Sequence, residues 1–366
     1  MELEFYRNNA RYTASIEYPL IFTGETKIEK GSGSLSPIAV FENKVYAASE
    51  TYLICLDLNT KAILWERESD SEIDVPVDGD NDRIYLNVDT KTTCLSAETG
   101  ETAWEFGAEE YPLAASNNCL YCIDIESEPE PLVCRNKKTG EKQWVIDAPR
   151  WYPSIIAIEK ELLIIKGGEG LHVCRTDTGE INLNIEIKDM FQKEFPKRNF
   201  RTWRFGPLVD GILFLGFDGY DGGENSLLFA VRANSGEIMW TLELDTKACP
   251  RTIIHKDDIL YFDLNQVGSS PNFIYTVNSK TGELLFKSDE SITPSGCANP
   301  IMIDKYFVGG MGQYLSFFDT QKQKFVWRYK HKKAKGVFGG KLVASGNHLL
   351  TYDNSENEIY WFESQV

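Results

Sequence analysis

The chain has 366 residues, of which 42% are apolar, 12% aromatic and 25% charged, and its net charge is −17. So acidic a surface repels phosphate backbones, which argues against broad nucleic-acid binding. No stretch approaches the roughly 18 apolar residues of a membrane-spanning helix, so we also expect no membrane span. A chain of this length usually forms two or three domains, but closed all-β architectures accommodate it in one.

The N-terminal segment 1–22 lacks the features of a secretory signal. It has no basic region, no apolar stretch of roughly 7–15 residues and no small-residue cleavage site. We therefore expect a cytoplasmic, monomeric protein that binds neither membrane nor nucleic acid.

A repeated unit of about 40 residues runs along the chain, and this period is typical of propeller blades. Each copy contains three strand-like runs and a turn of the Thr-Gly-Glu type. The copies are 45–67, 84–106, 120–146, 162–185, 213–242, 260–288 and 306–329. The last run contains an aromatic residue, namely Trp65, Trp104, Trp144, Trp240, Phe286 or Trp327, with Asn184 in that place in the fourth copy.

A further short strand precedes each copy, and one more begins an eighth unit. These strands are predicted at 36–40, 74–78, 112–116, 153–158, 206–210, 251–256, 299–303 and 341–345. Each blade then has strands A, B, C and D in chain order.

The eighth unit has a B strand at 348–353 and a C strand at 358–364, but no D strand follows. We expect segment 11–20 to supply it, which would remove exposed strand edges. The sequence therefore predicts an all-β, eight-bladed β-propeller of four-stranded antiparallel blades, closed by the N-terminal strand, with residues 1–366 as one domain. A seven-bladed propeller with one collapsed repeat is the alternative.

The repeat resembles the PQQ-like, or quinoprotein-type, repeat. The resemblance is carried by the TGE sequences at 99–101 and 139–141, followed by Trp104 and Trp144. Families with this repeat include quinoprotein dehydrogenases, the propeller lipoprotein of the outer-membrane β-barrel assembly machinery, and cytoplasmic proteins without a known cofactor. We identify the chain with the non-enzymatic cytoplasmic branch. The resemblance implies that the D-strand tryptophans dock between blades, namely Trp65, Trp104, Trp144, Trp240 and Trp327.

The predicted topology places the A–B and C–D turns at one face and the B–C and D–A connections at the other. All A–B and C–D turns are short. The long connections are the B–C loops 124–131, 218–226 and 265–272 and a D–A insert, 187–205, between blades 4 and 5. Long loops on a rigid scaffold commonly form binding sites, so we expect the function at their face.

The D–A insert interleaves cationic and aromatic residues, and its first part, 187–195, is predicted to form a short amphipathic helix. Neighbouring D–A junctions add similar residues, and Arg, Trp and Tyr are enriched at binding hot spots. The candidate partner-binding residues are Arg150, Trp151, Tyr152, Arg198, Arg201, Trp203, Arg204 and Arg251. The alternative is that the insert packs its aromatics on the propeller and holds its cations in solvent. We interpret a second basic run, 330–335, as solvated charge.

Metal and redox sites are not predicted. Cys119 and Cys122 form a lone CxxC, and strand residues three apart point to opposite faces. Cys55, Cys94 and Cys134 recur at one place in the repeat, which indicates core packing. The loop containing Asp218, Asp221 and Glu224 could offer oxygen ligands to calcium, but it lacks a known calcium pattern, so we interpret it as a plain hairpin loop. The four histidines, His172, His255, His331 and His348, are scattered over different blades.

The sequence thus predicts a scaffold that binds another protein, with no catalytic residue, metal or cofactor. Its acidic charge suits an immunity or antitoxin protein that neutralises a toxin or effector. One alternative is a quinone- or small-molecule-dependent oxidoreductase, although no adjacent cysteine pair of the quinoprotein type is present. Another is an outer-membrane-assembly-type propeller that lacks its signal.

Overall fold

The structure is a computed structural model. It describes residues 20–29, 38–74, 76–106, 110–116, 118–128, 130–147, 154–167, 170–196, 198, 203–218, 225–265, 273–289, 298–311, 314–331, 342–353 and 357–364. The described residues fall into two compact units. Unit 1 contains those between 154 and 289, and unit 2 contains those between 20 and 147 and between 298 and 364. That residues 1–366 form one domain stays a prediction.

In the described ranges, the strands form eight four-stranded antiparallel sheets, which are the blades of an eight-bladed β-propeller. The predicted fold class is therefore confirmed, and the seven-bladed alternative is wrong.

The first part of unit 2 contributes one strand to blade 8 and then forms blades 1 to 3. The strand of blade 8 is β1 (Leu20–Lys27). Blade 1 contains β2 (Ala39–Phe41), β3 (Lys44–Ser49), β4 (Tyr52–Asp57) and β5 (Ile63–Glu68). Blade 2 contains β6 (Asp78–Gly79), β7 (Arg83–Val88), β8 (Lys91–Ser96) and β9 (Thr102–Phe106). Blade 3 contains β10 (Glu110–Ala115), β11 (Cys119–Asp124), β12 (Leu132–Asn136) and β13 (Lys142–Ile146).

Unit 1 consists of blades 4 to 6 and one described helix. Blade 4 contains β14 (Ser154–Glu159), β15 (Leu162–Gly167), β16 (Gly170–Arg175) and β17 (Ile181–Glu186), and helix α1 (Ile187–Glu194) follows it directly. Blade 5 contains β18 (Trp203–Val209), β19 (Ile212–Phe217), β20 (Leu227–Arg232) and β21 (Ile238–Glu243). Blade 6 contains β22 (Cys249–Lys256), β23 (Ile259–Asn265), β24 (Tyr275–Asn278) and β25 (Leu284–Lys287).

The last part of unit 2 forms blade 7 and completes blade 8. Blade 7 contains β26 (Ala298–Ile303), β27 (Tyr306–Met311), β28 (Tyr314–Asp319) and β29 (Lys324–Lys330). Blade 8 contains β30 (Val343–Ser345), β31 (His348–Asp353) and β32 (Glu358–Ser364), together with β1.

The B and C strands of each blade are largely buried on both faces, whereas the D strands contain many exposed residues. Strand β4 is buried from Tyr52 to Leu56, but β21 alternates between half-buried and exposed residues. A strand that is covered on both faces has a mostly apolar sequence without alternation, and this explains why the B and C strands resemble one another in sequence. The A strand predicted at 74–78 is reduced to Asp78–Gly79, and Ile73 forms an isolated bridge with Val88 before it.

The C–D turns of blades 1, 2, 3, 6 and 7 share one hydrogen-bonding pattern, in which a polar side chain ends strand C and accepts amides two and three residues later. Asp57 Oδ1 accepts the N–H of Asn59 at 3.0 Å and of Thr60 at 2.7 Å. These bonds hold the pKa of the Asp57 carboxyl below its usual value. Such side-chain turns fix the hairpin locally. The residue that follows has a positive φ, for example 62° at Lys61 and 72° at Gly100.

Glycine in this turn also makes room for the D strand of the preceding blade. A Cβ built on Gly100 would lie 2.7 Å from the ring of Trp65, whose Nε1 donates to the Ala97 carbonyl at 3.1 Å. The same arrangement recurs between blades 5 and 6, where Trp240 covers Gly282 and donates to the Ser279 carbonyl at 2.9 Å. The predicted docking of Trp65 and Trp240 between blades is therefore confirmed.

Between blades 2 and 3 the ring that covers the turn glycine is that of Phe106, and Trp104 packs beside it. The Phe106 ring occupies the place that a Cβ on Gly140 would fill. The Arg135 guanidinium lies 4.9 Å from the centre of the Phe106 ring, and a bidentate ion pair with Glu110, 2.7 Å at each contact, holds it there. Trp104 packs against a core cluster that contains Tyr85 of blade 2 and Leu120 of blade 3, with its ring centroid 5.4 Å from that of Phe106. The predicted docking of Trp104 between blades is therefore confirmed.

In the fourth copy, the place of the D-strand aromatic belongs to Leu183, so its assignment to Asn184 is wrong. Leu183 pairs with Val173 just as Trp144 pairs with Cys134 in blade 3. The number of residues from the turn glycine to the D-strand aromatic is the same in each copy, whereas the number of residues from one blade to the next varies. The turn glycine therefore locates this position, and the blade period does not. Asn184 instead holds the buried ring of His172, with 2.6 Å between Oδ1 and Nδ1.

Blade 8 is closed by β1, which pairs antiparallel with β32 from Leu20↔Ser364 to Lys27↔Glu358. Closure by an N-terminal strand is thus confirmed. Its predicted range, 11–20, is wrong, because the strand begins where that range ends, and residues 11–19 lie outside the described part of the chain. The position of β1 is fixed by Leu20 and Phe22, which pack into the core formed by blades 7 and 8.

A polar cluster ties the closing strand to blade 1. Lys61 donates to Thr23 Oγ1 at 2.8 Å and pairs with Glu363 Oε1 at 3.1 Å. His348 lies beside them, with 3.3 Å between its Nε2 and Asn59 Oδ1, and burial lowers the pKa of its ring. Lys61 occupies the turn position that is glycine in blades 2 to 6, so at blade 1 this polar contact stands where other blades have an aromatic–glycine contact.

Substitution of the turn glycines should separate backbone strain from loss of space. In Gly100→Ala, the new residue must adopt a positive φ, and its Cβ would also collide with the Trp65 ring. In Gly211→Ala, φ is similar, at 75°, but no atom lies within 4 Å of the new Cβ. We expect Gly211→Ala to lower the free energy of unfolding by about 1–2 kcal/mol. Gly100→Ala should cost about 1–3 kcal/mol more, because the ring must move. Chemical denaturation measures both, and equal losses would contradict the packing role of Gly100.

Removal of residues 1–27 should destabilise the protein and cause association. The deletion takes away β1, exposes the edge of β32 and leaves Tyr360 and Phe362 without their Phe22 neighbour. Light scattering after size-exclusion chromatography should show species that grow with concentration. Removal of residues 1–19 is the control, since it leaves β1 intact. A monomer of unchanged thermal midpoint after removal of 1–27 would refute closure by β1.

Candidate partner-binding surface

The predicted long-loop face is present within unit 1, at the ends of the blades where the β17–β18, β19–β20, β21–β22 and β23–β24 connections emerge. In blade 5, Trp203 pairs with Phe217, Phe217 with Leu227, and Leu227 with Glu243. These pairs place all four strand ends at one end of the blade. We call this end of blades 4 to 6 the loop end of unit 1.

Helix α1 confirms the predicted amphipathic helix at the start of the insert. Ile187 and Phe191 are buried, one helical turn apart, while the lysines and Asp189 are exposed. Asp189 in the first turn and Lys193 in the last complement the helix dipole. The helix ends where the Phe195 N–H donates to the Phe191 carbonyl at 2.7 Å.

An aromatic cluster fixes α1 to blade 5. The Phe191 ring centroid lies 4.3 Å from those of Phe217 and Phe229, and Phe195 lies 5.7 Å from Phe229. Phe217 and Phe229 contact each other edge to face at 5.1 Å. For α1 and Phe195, the alternative interpretation is therefore correct: this part of the insert packs its aromatic side chains on the propeller.

Arg198 is held by neighbouring groups at the loop end. Its Nη2 lies 2.9 Å from Glu243 Oε2, and its guanidinium carbon lies 5.6 Å from the centre of the Phe195 ring. Asn225 Nδ2 donates to the other oxygen of Glu243 at 3.1 Å. Arg198 is thus positioned at the surface with its charge balanced, so a partner would have to compete with Glu243 or contact both.

Sequence reasoning missed a second polar cluster, at the loop end of blade 6. Lys287 pairs with Asp245 at 2.5 Å, and Tyr275 Oη donates to the same carboxylate at 3.0 Å. Lys287 therefore lowers the pKa of Asp245, and burial raises that of Tyr275 to about 12. The Lys287 ammonium also lies 5.2 Å from the centre of the Phe273 ring. Asp245 lies in the β21–β22 connection, Tyr275 in β24 and Lys287 in β25, and no sequence spacing connects them.

The other candidate residues are described only in part. Arg204 is half-buried near Cys249, where its charge opposes the rise in the Cys249 pKa that burial causes. Trp203 lies in β18 and Arg251 in β22, but their side chains lie outside the description. The remaining candidates lie wholly outside the described residues, namely Arg150, Trp151, Tyr152 and Arg201.

Metal-ligating groups do not assemble in the described part of the chain, where no three His, Cys, Asp or Glu side chains form a group that could hold an ion. Asp218 is described, whereas the rest of its loop, 219–224, is not. Cys122 contacts Thr92 of blade 2, while Cys119 contacts Gln143 of its own blade, as opposite faces require. Among the described residues, no helix is long and apolar enough to span a bilayer.

The second basic run is only partly a solvated segment. Lys330 is exposed, but His331 is buried, with its ring centroid 4.7 Å from that of Tyr360 and 5.5 Å from that of Phe22. The prediction of solvated charge is therefore wrong for His331, because β29 continues far enough to bring it against the closing strand. Residues 332–335 lie outside the described ranges.

Phe191→Ala should test the attachment of α1. Removal of the ring leaves a cavity between Phe217 and Phe229, so we expect the free energy of unfolding to fall by about 3–5 kcal/mol. Lys188→Ala, on the exposed side of the same helix, should change it by less than about 0.5 kcal/mol. Urea denaturation followed by circular dichroism measures both. Equal stabilities of the two variants would show that α1 is not anchored by Phe191.

Comparisons with known proteins relate the chain to one kind of propeller. A family model described as outer membrane protein assembly factor BamB matches residues 23–144. No curated protein shows significant similarity to the chain. Among solved structures, BamB from Moraxella catarrhalis is 18% identical with a TM-score of 0.63, covering 95% of this chain and 98% of its own. The computationally designed Ika8 protein is 13% identical with a TM-score of 0.66, covering 92% of this chain and 98% of its own. The chain therefore has the fold of a PQQ-like β-propeller.

Proposed function

We propose that this protein is a scaffold that binds another protein through the loop end of unit 1. The observation that carries the proposal is the anchoring of α1 by Phe191 and Phe195, which presents the insert from a rigid blade. Binding sites are commonly built from long connections held in this way. The Arg198–Glu243 pair and the Asp245–Lys287–Tyr275 cluster give this surface fixed positive and negative groups. Such groups favour a partner of complementary charge pattern.

Two narrower versions of this function differ in partner. An assembly-type role, with a membrane-protein assembly partner, is supported by the family match over 23–144 and by the likeness to BamB. An immunity or antitoxin role, in the cytoplasm and against a toxin or effector, is supported by the net charge of −17, which suits a basic partner. Only the first version has support from relatives, so we favour it.

The experiment is capture of a partner from lysate of the native organism, followed by calorimetry with the purified partner. We expect a stoichiometric complex that weakens at least about tenfold when Arg198→Glu leaves Glu243 without its cation and reverses the local charge. Arg201→Ala with Trp203→Ala extends the test to the rest of the insert. Arg232→Ala is the matched control, since this exposed arginine lies at the opposite end of β20.

Two results would oppose the proposal. If the Arg198 and Arg201/Trp203 variants bind the purified partner as tightly as the wild type, the loop end of unit 1 is not the interface. If added pyrroloquinoline quinone binds tightly with a calcium-dependent absorbance change, the oxidoreductase alternative replaces the scaffold.

A further inference from the structure

We propose that the outer edge of blade 7 binds an acidic, extended peptide segment as an additional strand. The edge is β29, and this site is separate from the loop end of unit 1. Strand β29 is the last strand of its four-stranded sheet, so its outer side presents a ladder of backbone donors and acceptors. Extended segments bind such edges through main-chain hydrogen bonds, and their alternate side chains supply specificity.

The charge of β29 distinguishes it from the other D strands. Lys324, Arg328 and Lys330 are all exposed, and the strand contains no carboxylate. By contrast, a glutamate lies in each of β5, β9, β17 and β21, and β13 and β25 have a single lysine each. The protein as a whole carries a charge of −17, so β29 is a basic edge on an acidic molecule.

The two faces of β29 have different neighbours. Trp327 and Tyr329 point toward blade 8, where their ring centroids lie 6.5 and 5.1 Å from that of Phe362. Because side chains alternate along a strand, Arg328 and Lys330 lie together on the opposite face. Arg328 and Lys330 are exposed, whereas Trp327 and Tyr329 pack against the core formed by blades 7 and 8.

Aromatic rings support the two cations. The Arg328 guanidinium carbon lies 4.2 Å from the centre of the Phe325 ring, and the Lys330 ammonium lies 5.5 Å from that of Tyr314. Tyr314 itself is 37% exposed, so an added strand would find an aromatic surface as well as charge. Stacked cations are held in place, which lowers the entropy lost when a carboxylate binds them.

The spacing of the cations indicates the peptide that fits. A segment with carboxylates at alternate positions would place both on the face of Arg328 and Lys330, and opposite charges on neighbouring strands attract. The same cations repel β29 of a second copy, so pairing of two such edges is disfavoured. The edge therefore selects an acidic strand rather than itself.

The test uses the full chain and synthetic peptides as long as β29. The main probe alternates threonine and glutamate. A second peptide has the same composition with its glutamates adjacent, and a third is the main probe with its central amides N-methylated. Fluorescence anisotropy should show binding of the main probe, with affinity at least about tenfold weaker for both other peptides, because one loses the alternate spacing and the other the hydrogen bonds.

Variants locate the site. Lys324→Glu, Arg328→Glu and Lys330→Glu together should abolish binding of the main probe. The matched control reverses three exposed lysines elsewhere, Lys138→Glu, Lys142→Glu and Lys188→Glu, and so changes the net charge equally. This control and Arg198→Glu should leave binding within about twofold. Circular dichroism confirms that each variant is folded.

Five results would overturn the proposal, and four of them come from the binding measurements. These four are no binding of the main probe, equal binding of the N-methylated peptide, equal loss in the charge-matched control, and tighter binding of a single-stranded oligonucleotide than of the peptide. Self-association of the protein that the β29 substitutions abolish would also overturn it, since the occupant would then be a second copy of this chain.

Discussion

The contact between a D-strand aromatic ring and the turn glycine of the next blade is the constraint on which the architecture depends. Trp65 on Gly100 and Trp240 on Gly282 each combine three requirements in one place. The glycine must adopt a positive φ, it must carry no Cβ, and a carbonyl three residues before it must face the indole N–H. Because the contact joins consecutive blades, it makes blades 1 and 2, and likewise blades 5 and 6, depend on each other, as stacked repeats require.

Departures from this contact coincide with special roles. At blade 1 the turn residue is Lys61, and its ammonium reaches the closing strand instead of receiving an aromatic ring. A long side chain suits this position, because the Lys61 ammonium must reach both Thr23 of β1 and Glu363 of β32. It thereby adds a side-chain contact to the strand pairing that holds β1 in blade 8. At blade 3 the ring is Phe106, and a buried ion pair between Arg135 and Glu110 covers it. Removal of one member of such a pair leaves an unpaired buried charge, which is strongly destabilising.

The two surfaces that we propose lie in parts of the chain that do not repeat. The insert between blades 4 and 5 uses Phe191 and Phe195 for attachment, and Arg198 remains at the surface beside Glu243. Strand β29 departs from the other D strands in charge rather than in backbone. One proposed surface is built on the insert between blades 4 and 5, and the other on the side chains of strand β29. Both leave the aromatic–glycine contacts intact.

The sequence by itself determined the number of blades, the strand order and the residues of the C–D turns. These features follow from local patterns, since strand alternation, turn chemistry and the recurring Thr-Gly-Glu element act over a few neighbouring residues. The helix at 187–194 was predictable for the same reason, because its apolar residues recur at helical spacing. Closure by an N-terminal strand also followed, since one blade had no D strand of its own.

Only the tertiary structure decided which residues meet across blades. It moved the closing strand to Leu20–Lys27 and buried His331 among aromatic rings. It also joined Asp245 to Lys287, two residues of different blades with no shared motif. Partner choice of this kind depends on packing between segments far apart in the chain, and periodicity along one segment carries no information about it.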